Sequence, residues 1–382
     1  MFDKRYRDLA ELLIRYSCRL QAGENLLIEQ RGDADALTRE LVEAAYRAGG
    51  RPLLRCWPEQ AERAWRKGAD RDTLKLAAQA DAALMKKMHA YIGVRQSENI
   101  YNLSDISDAA NDDYAKYYLD PVHFRVRVPK TRWVVLRHPS PALAQLAAMP
   151  GDKFEDFFFR VCCFDYAKLS QAMDPLKRLL DEGDAVEIRG EGVDLRFRIK
   201  GVGSVKCDGQ CNIPDGEVYT APLKTSVEGS VTFNAPSAYQ GRVFERVHLE
   251  FARGRIVNAA CAGGAAMQKA LETILDTDAG ARYIGEFALG LHPHIRRPMR
   301  DILFDEKISG SFHFTPGNAY EDAHNGNKSA VHWDLVYLMH PEYGGCEIRL
   351  DGELLQKDGR FVRKELQPLN PENFRLPAGR KR

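Results

Sequence analysis

Several features are scarce in these 382 residues, and each scarcity removes a class of function. No apolar run approaches the roughly 20 residues that cross a bilayer, so no membrane span is expected. Charge of neither sign is in excess: 55 Lys+Arg stand against 54 Asp+Glu, and the pI is near 7.6. A chain so balanced has no global pull toward nucleic acid or an anionic membrane, which leaves a small molecule or another protein as the expected partner. The eight cysteines (18, 56, 162, 163, 207, 211, 261 and 346) are scattered rather than dense, and no C-x-x-C occurs. They do not read as a disulfide framework, and Cys207-x-x-x-Cys211 lacks the second Cys/His pair that a zinc knot needs. "GVGSV" around residue 203 lacks the G-x-G-x-x-G order and the strand-to-helix setting of a phosphate loop. The opening "MFDKRYRDLAELLIRYSCRL" mixes charges through its apolar positions, unlike a secretory signal, so a soluble cytoplasmic protein is expected.

What is present divides in two. The first part alternates helical and strand patterns: a helix from about Lys4 to Gln21, "NLLIEQ", "ADALTRELVEAAYRAGG", "PLLRCW", "AYIGVRQ" and "RWVVLRHPS". Alternation of this kind predicts a parallel sheet with helices on its faces. Near residue 184 the character changes to alternating strands and Gly-rich turns, with one strong helix from Gly264 to about Asp276. The expected fold is an α/β N-terminal domain with a parallel sheet over residues 1–178, followed by a mixed α+β, strand-rich C-terminal domain over 179–382. No internal repeat or low-complexity linker separates them, and the tail "LPAGRKR" reads as solvated.

"VHWDLVY", residues 331–337, places an imidazole and a carboxylate two positions apart in a β-prone run. In a strand, His332 and Asp334 would share one face while Trp333 and Leu335 take the other. Burying that pair is costly unless something satisfies it: either a simple His–Asp hydrogen bond in a core or a metal ion. The same half of the chain carries Glu217 in "NIPDGEVYTAP", Glu286 in "RYIGEFALG", and His313 and Tyr320 in "FHFTPGNAY". Each alone has an ordinary structural explanation. Three acids and two histidines in one apolar region are expensive to neutralise without a cation, and carboxylate with imidazole suits hard or borderline divalent ions.

"NIPDGEVYTAP", "RYIGEFALG", "FDEKISGSFHFTPGNAY" and "HWDLV", in that order, resemble the successive motifs of the M29 family of metallo-aminopeptidases. The resemblance covers most of the chain. It implies that Glu217, Glu286, His313, His332 and Asp334 bind a pair of divalent ions (Zn, Co, Mn or Mg), with Tyr320 a coordinating or catalytic residue of the same site. Glu306, in "FDEK", matches a family acid less closely, while His292, His294, His324 and His340 match no ligand position and are expected at the surface or in supporting roles. It further implies a homodimer acting on peptides, with Glu286 bridging the ions. The water's proton would pass to Glu286 or Glu306, and the Tyr320 hydroxyl would donate to the oxyanion. "FTPG" after His313 and the short stretch between Tyr320 and His332 depart from the family pattern and bear on substrate preference.

A second reading uses fewer residues. His313, His332 and Asp334 alone form the two-His, one-carboxylate set of mononuclear non-haem iron oxygenases, and the fold also resembles that of a ring-cleaving dihydroxypyridine dioxygenase. A third reading keeps the ion for structure only, although structural sites favour Cys and His over carboxylates.

Overall fold

The structure is a computed structural model, and residues 3–374 are described; the solvated tail expected at 376–382 lies outside them. The chain divides into two compact units, Met1–Phe164 with Gly209–Pro214, and Asp165–Asp208 with Asp215–Arg382.

The first unit is built on a five-stranded parallel sheet in the spatial order Arg51–Trp57, Asn25–Arg31, Ala90–Arg95, Arg132–Arg137 and the short Asn212–Ile213. Leu26 through Gln30 are all buried. This is the continuous burial expected of a parallel strand covered on both faces. The helix Asp35–Arg47 ends before Gly49, whose φ of +76° reverses the chain into the next strand. The expected first helix runs as an α-helix over Lys4–Leu12 and continues as a wider-wound turn over Leu13–Ser17.

The second unit carries two antiparallel sheets. One has eight strands in the order Arg255–Ala260, His248–Ala252, Glu228–Thr232, Val193–Arg198, Ala185–Gly190, Cys346–Leu350, Glu353–Lys357 and Arg360–Phe361. The other has five: Leu335–Leu338, Ser311–Pro316, Ile284–Gly290, Glu217–Thr220 and Val205–Cys207. Phe197 of the larger sheet packs 5.0 Å from Phe287 and 5.3 Å from Phe314 of the smaller one, ring to ring. These aromatic contacts fix which face of the five-stranded sheet is core. The strong helix expected near residue 264 spans Gly264–Leu275.

The division at residues 164/165 falls ahead of the expected 178/179. The helix Tyr166–Glu182 reads, by pattern, as the last element of the α/β part, yet it belongs with the second unit. Its Tyr166 hydroxyl accepts from the Asp215 amide at 3.2 Å, and Lys206 Nζ lies 3.1 Å from its Ser170 carbonyl. Such pairings are long-range, and helical periodicity does not reveal them.

Candidate metal centre

Register on the five-stranded sheet assembles the site. Glu286 lies opposite Thr315, Ala288 opposite both His313 and Tyr219, and Gly290 opposite Glu217. Side chains alternate between faces, so Glu217, Tyr219, Glu286, His313 and Thr315 share one face. Phe287, Phe312 and Phe314 take the other, against the core. The ligand-type residues are therefore delivered by three neighbouring strands as a consequence of pairing alone.

His332 and Asp334 arrive differently from the sequence expectation. The strand begins only at Leu335; His332 makes an isolated antiparallel bridge with Gly317, and Asp334 lies between. The side-by-side placement nevertheless holds, with His332 Nε2 3.3 Å from Asp334 Oδ1. Trp333 points the other way, donating its indole N–H to Ser237 Oγ at 2.8 Å and stacking on Tyr239 at 4.9 Å. That anchor adds to the backbone bond from the Trp333 amide to the Pro316 carbonyl at 3.2 Å.

Within the cluster, His313 Nε2 is 2.8 Å from Glu286 Oε1 and 3.7 Å from Glu217 Oε2. His332 Nε2 is 3.9 Å from Glu286 Oε2, while its Nδ1 donates to the Asn318 carbonyl at 2.9 Å. This fixes the ring and leaves Nε2 as the ligating nitrogen, the usual way a metal-binding imidazole is oriented. Asp334 Oδ1 accepts from the Thr315 hydroxyl at 2.7 Å. Tyr320 is 48% exposed, with its ring 4.5 Å from that of His332 and 6.0 Å from that of Tyr219.

The donors fit a divalent cation. Glu217, Glu286 and His313 are all buried and bring one ligand atom each within 4.8 Å of one another. Among the described residues, Glu217 Oε2, Glu286 Oε2 and His313 Nδ1 are buried without a hydrogen-bond partner. Buried polar atoms are ordinarily paired, so unpartnered carboxylate oxygens on two acids of one cluster point to a cation as the missing partner. The proton affinities agree. Burial works against charge on His313 and His332, but Glu286, Glu217 and Asp334 outweigh it and raise the two imidazoles to about 9 and about 10. Glu286 is raised by burial, against the pull of His313. Asp334 is held low, its burial outweighed by His332 and His313. At the Tyr320 hydroxyl, loss of solvent and the charges of Glu286, Asp334 and Glu306 hold the phenol protonated.

Two residues that matter here were not singled out by sequence reasoning. Lys307 Nζ lies 2.7 Å from Glu217 Oε1, 2.7 Å from Glu306 Oε1 and 3.4 Å from Asp215 Oδ1, with its side chain 1% exposed. Both Lys307 and Asp215 sit inside the motif strings, next to the acids that drew attention, and a charged residue in "DEKIS" reads as a solvated turn. Gly290 explains the burial: a Cβ there would meet the Ile308 carbonyl at 2.3 Å and the Glu306 carbonyl at 3.0 Å, so the absent side chain lets the 306–308 backbone lie against the strand. Burial raises Glu306 to about 8 despite Lys307.

The remaining candidates separate from the site. Cys207 groups with Asp215 and Glu217, carboxylates rather than a second thiolate. Its thiol is pushed far up by burial and by Glu217 and Asp215. His292 and His340 are buried rather than at the surface, the latter hydrogen-bonded to the Ser309 carbonyl at 2.8 Å. His294 and His324 are partly buried, and none of the four joins the ligand cluster.

With this geometry in view, residues 2–361 match the model of a family described as thermophilic metalloprotease (M29). Aminopeptidase T of Thermus thermophilus is 26% identical, the alignment covering 94% of this chain and 96% of that one. The solved structure of wild-type AmpT from the same organism superposes with a TM-score of 0.78 at 24% identity, covering 95% of this chain and 100% of the other. A 2,5-dihydroxypyridine dioxygenase from Pseudomonas putida superposes with a TM-score of 0.62 at 14% identity, over 94% of this chain and 98% of that one. At such identities the two superpositions speak for the fold alone: a parallel α/β part and a strand-rich antiparallel part, as the sequence pattern predicts.

Proposed function

This chain belongs to the thermophilic metalloprotease (M29) family and is a metal-dependent aminopeptidase, and from that premise we propose which residues run the reaction. Glu217, Glu286, His313, His332 and Asp334 would hold two divalent ions, and Glu286 and Tyr320 act on the substrate. The observation that carries the assignment is the pair of buried, unpartnered carboxylate oxygens, Glu217 Oε2 beside His313 and Glu286 Oε2 beside His332. A bound divalent ion supplies Lewis acidity for the scissile carbonyl and a more acidic water.

The protein groups do the rest. Glu286, whose proton affinity burial has raised, takes the proton of the attacking water. Glu306 is the weaker alternative for that role, since its Oε1 is engaged by Lys307 Nζ at 2.7 Å. The water oxygen adds to the carbonyl carbon, the C–N bond breaks, and the same proton passes to the departing amine. Tyr320, kept protonated beside three acids, donates its hydroxyl hydrogen to the developing oxyanion, a contact made in full only in the transition state. A carboxylate of the cluster receives the free α-ammonium of the peptide, which restricts cleavage to the N-terminal residue. Tyr320 enters the proposal as a catalytic or coordinating residue of the same site, its ring 4.5 Å from that of His332.

We propose, as the resemblance implies, that this ligand set would hold a pair of divalent ions, with Glu286 reaching both imidazoles through its two oxygens. The non-haem iron reading would leave Glu217 and Glu286 without a use, and the likeness to the dioxygenase is one of fold. A homodimer, motivated by the family resemblance, and a cytoplasmic location, with which eight free cysteines agree, complete the proposal. Light scattering and cell fractionation test them.

The test of function is release of free amino acid from unblocked and N-acetylated peptides, after metal stripping and reloading with Zn, Co, Mn or Mg in turn. Metal-dependent cleavage confined to unblocked peptides is expected. Equal cleavage of both sets would refute exopeptidase action.

A further inference from the structure

The mechanism above uses no residue of the first unit, yet that unit gathers arginines where an open parallel sheet ordinarily binds ligands. We infer that the carboxyl end of its sheet is a second binding site, one for a small oxyanion (a phosphoryl or carboxylate group), gripped by Arg95 and Arg127. The site lies wholly within the first unit and does not depend on the metallopeptidase reading.

Topology sets the place. Strand Asn25–Arg31 pairs with Arg51–Trp57 on one side and with Ala90–Arg95 on the other, so the connections part in opposite directions beyond its carboxyl end. Such a switch point leaves a crevice there. Arg31, Arg95 and Arg137 are the last residues of three neighbouring strands and lie in lateral register. Residues in register on parallel strands face the same way, so three guanidinia start from one row on one face. Like charges aligned across neighbouring strands are unfavourable unless something compensates them.

The protein compensates only part of this charge. Arg31 is met by Glu29 at 3.1 Å and by Glu62, and Arg137 is also engaged. The Arg95 guanidinium is exposed and makes no ion pair or hydrogen bond among the described residues. Arg127 ends the helical segment Ala115–Arg127, which packs on that same face through Tyr118, Val122 and Val126 against Leu27 and Tyr91. Its guanidinium lies 3.7 Å from the centre of the Tyr91 ring, on the strand that ends at Arg95. The absent side chain of Gly93 lets that ring lean along the strand, since a Cβ there would meet the Tyr91 hydroxyl at 2.9 Å. Arg127 is only 6% exposed, and its Nε is buried with no hydrogen-bond partner among the described residues. The ring covers a face of the guanidinium, which leaves the in-plane N–H unmet, and buried N–H groups are ordinarily paired. Arg95 and Arg127 act on common ground: burial, then Arg127, then Arg95 lower the proton affinity of His123 to about 4. Each guanidinium is a planar fork that matches two oxygens of a carboxylate or phosphoryl group. The neighbouring carboxylates of Glu29 and Glu62 would repel a longer polyanion, which limits the ligand to a small one.

The experiment is calorimetric titration of the full-length, metal-loaded protein with inorganic phosphate and with malonate, repeated after metal stripping to remove any binding at the metal ions. Saturable binding should survive stripping, and Arg95→Gln should weaken it by about ten- to a hundredfold, the loss of one charge-assisted contact. Preference for phosphate or for malonate tells which kind of ligand the site serves, and either supports it. Arg95 is exposed, so the variant should keep its thermal midpoint. Should it unfold, Arg95→Lys, which keeps the charge without the fork, should still weaken binding several-fold. Absence of saturable binding of either anion to the stripped protein would overturn the inference, as would equal affinity in wild type and the folded Arg95 variant. Neither result bears on the metal centre.

Discussion

Titrating the metal-stripped protein with Mn2+ at a series of pH values should give an affinity that climbs steeply as the pH rises. The two histidines of the centre are raised to about 9 and about 10 by the acids around them. In neutral solution, therefore, both carry a proton that must leave before the ring can ligate a cation. The sign follows from the direction of the shifts: a raised proton affinity means stronger competition at low pH, so binding strengthens until the pH passes the raised values and then levels off. Each proton displaced contributes a tenfold change in apparent association constant per pH unit. Two give about a hundredfold per unit, or roughly 2.7 kcal/mol, across the range below pH ~9. Calorimetry in two buffers of different protonation enthalpy reads the same quantity independently, as about two protons released per centre filled near neutrality. His332→Asn should lower the slope by about one, because it removes one competing proton. A wild-type slope near one would remove one histidine from the ligand set. A slope near zero with no proton release would refute the assignment of the buried cluster as the metal site.

Two further outcomes follow from individual side chains. Glu286→Gln keeps the volume and the 2.8 Å contact to His313 but abolishes the basic oxygen, so turnover should fall by about a thousandfold or more with the thermal midpoint little changed. A folded variant with near wild-type kcat would sink the assignment of Glu286. Tyr320→Phe removes only a hydroxyl from a half-exposed ring, so kcat should drop by roughly ten- to a thousandfold with KM nearly unchanged. A change confined to KM would make Tyr320 a substrate-binding wall instead.

Legibility of the fold varied with the range of the interactions involved. Strand Asn25–Arg31, helix Asp35–Arg47 and helix Gly264–Leu275 could be located from local pattern, because each is fixed by its own apolar periodicity and by glycines at its ends. Helix Tyr166–Glu182 could be recognised as a helix but not allotted to its unit, since its partners Asp215 and Lys206 are tens of residues away. The pairing of His332 with Asp334 was visible as an i, i+2 spacing even though the regular strand starts later.

The sequence by itself determined the chemistry: which acids, imidazoles and phenol are available, in strings specific enough to resemble one family, and which functions the balanced charge and scattered cysteines exclude. Only the tertiary structure decided how those groups are shared. Sheet register brings Glu217, Glu286 and His313 from three strands to one face. The missing side chain of Gly290 brings the 306–308 turn against that sheet and buries Lys307 between Glu217 and Glu306. A string records that a lysine follows a glutamate. Its charge becomes part of a metal centre only when burial removes the water that would otherwise screen it.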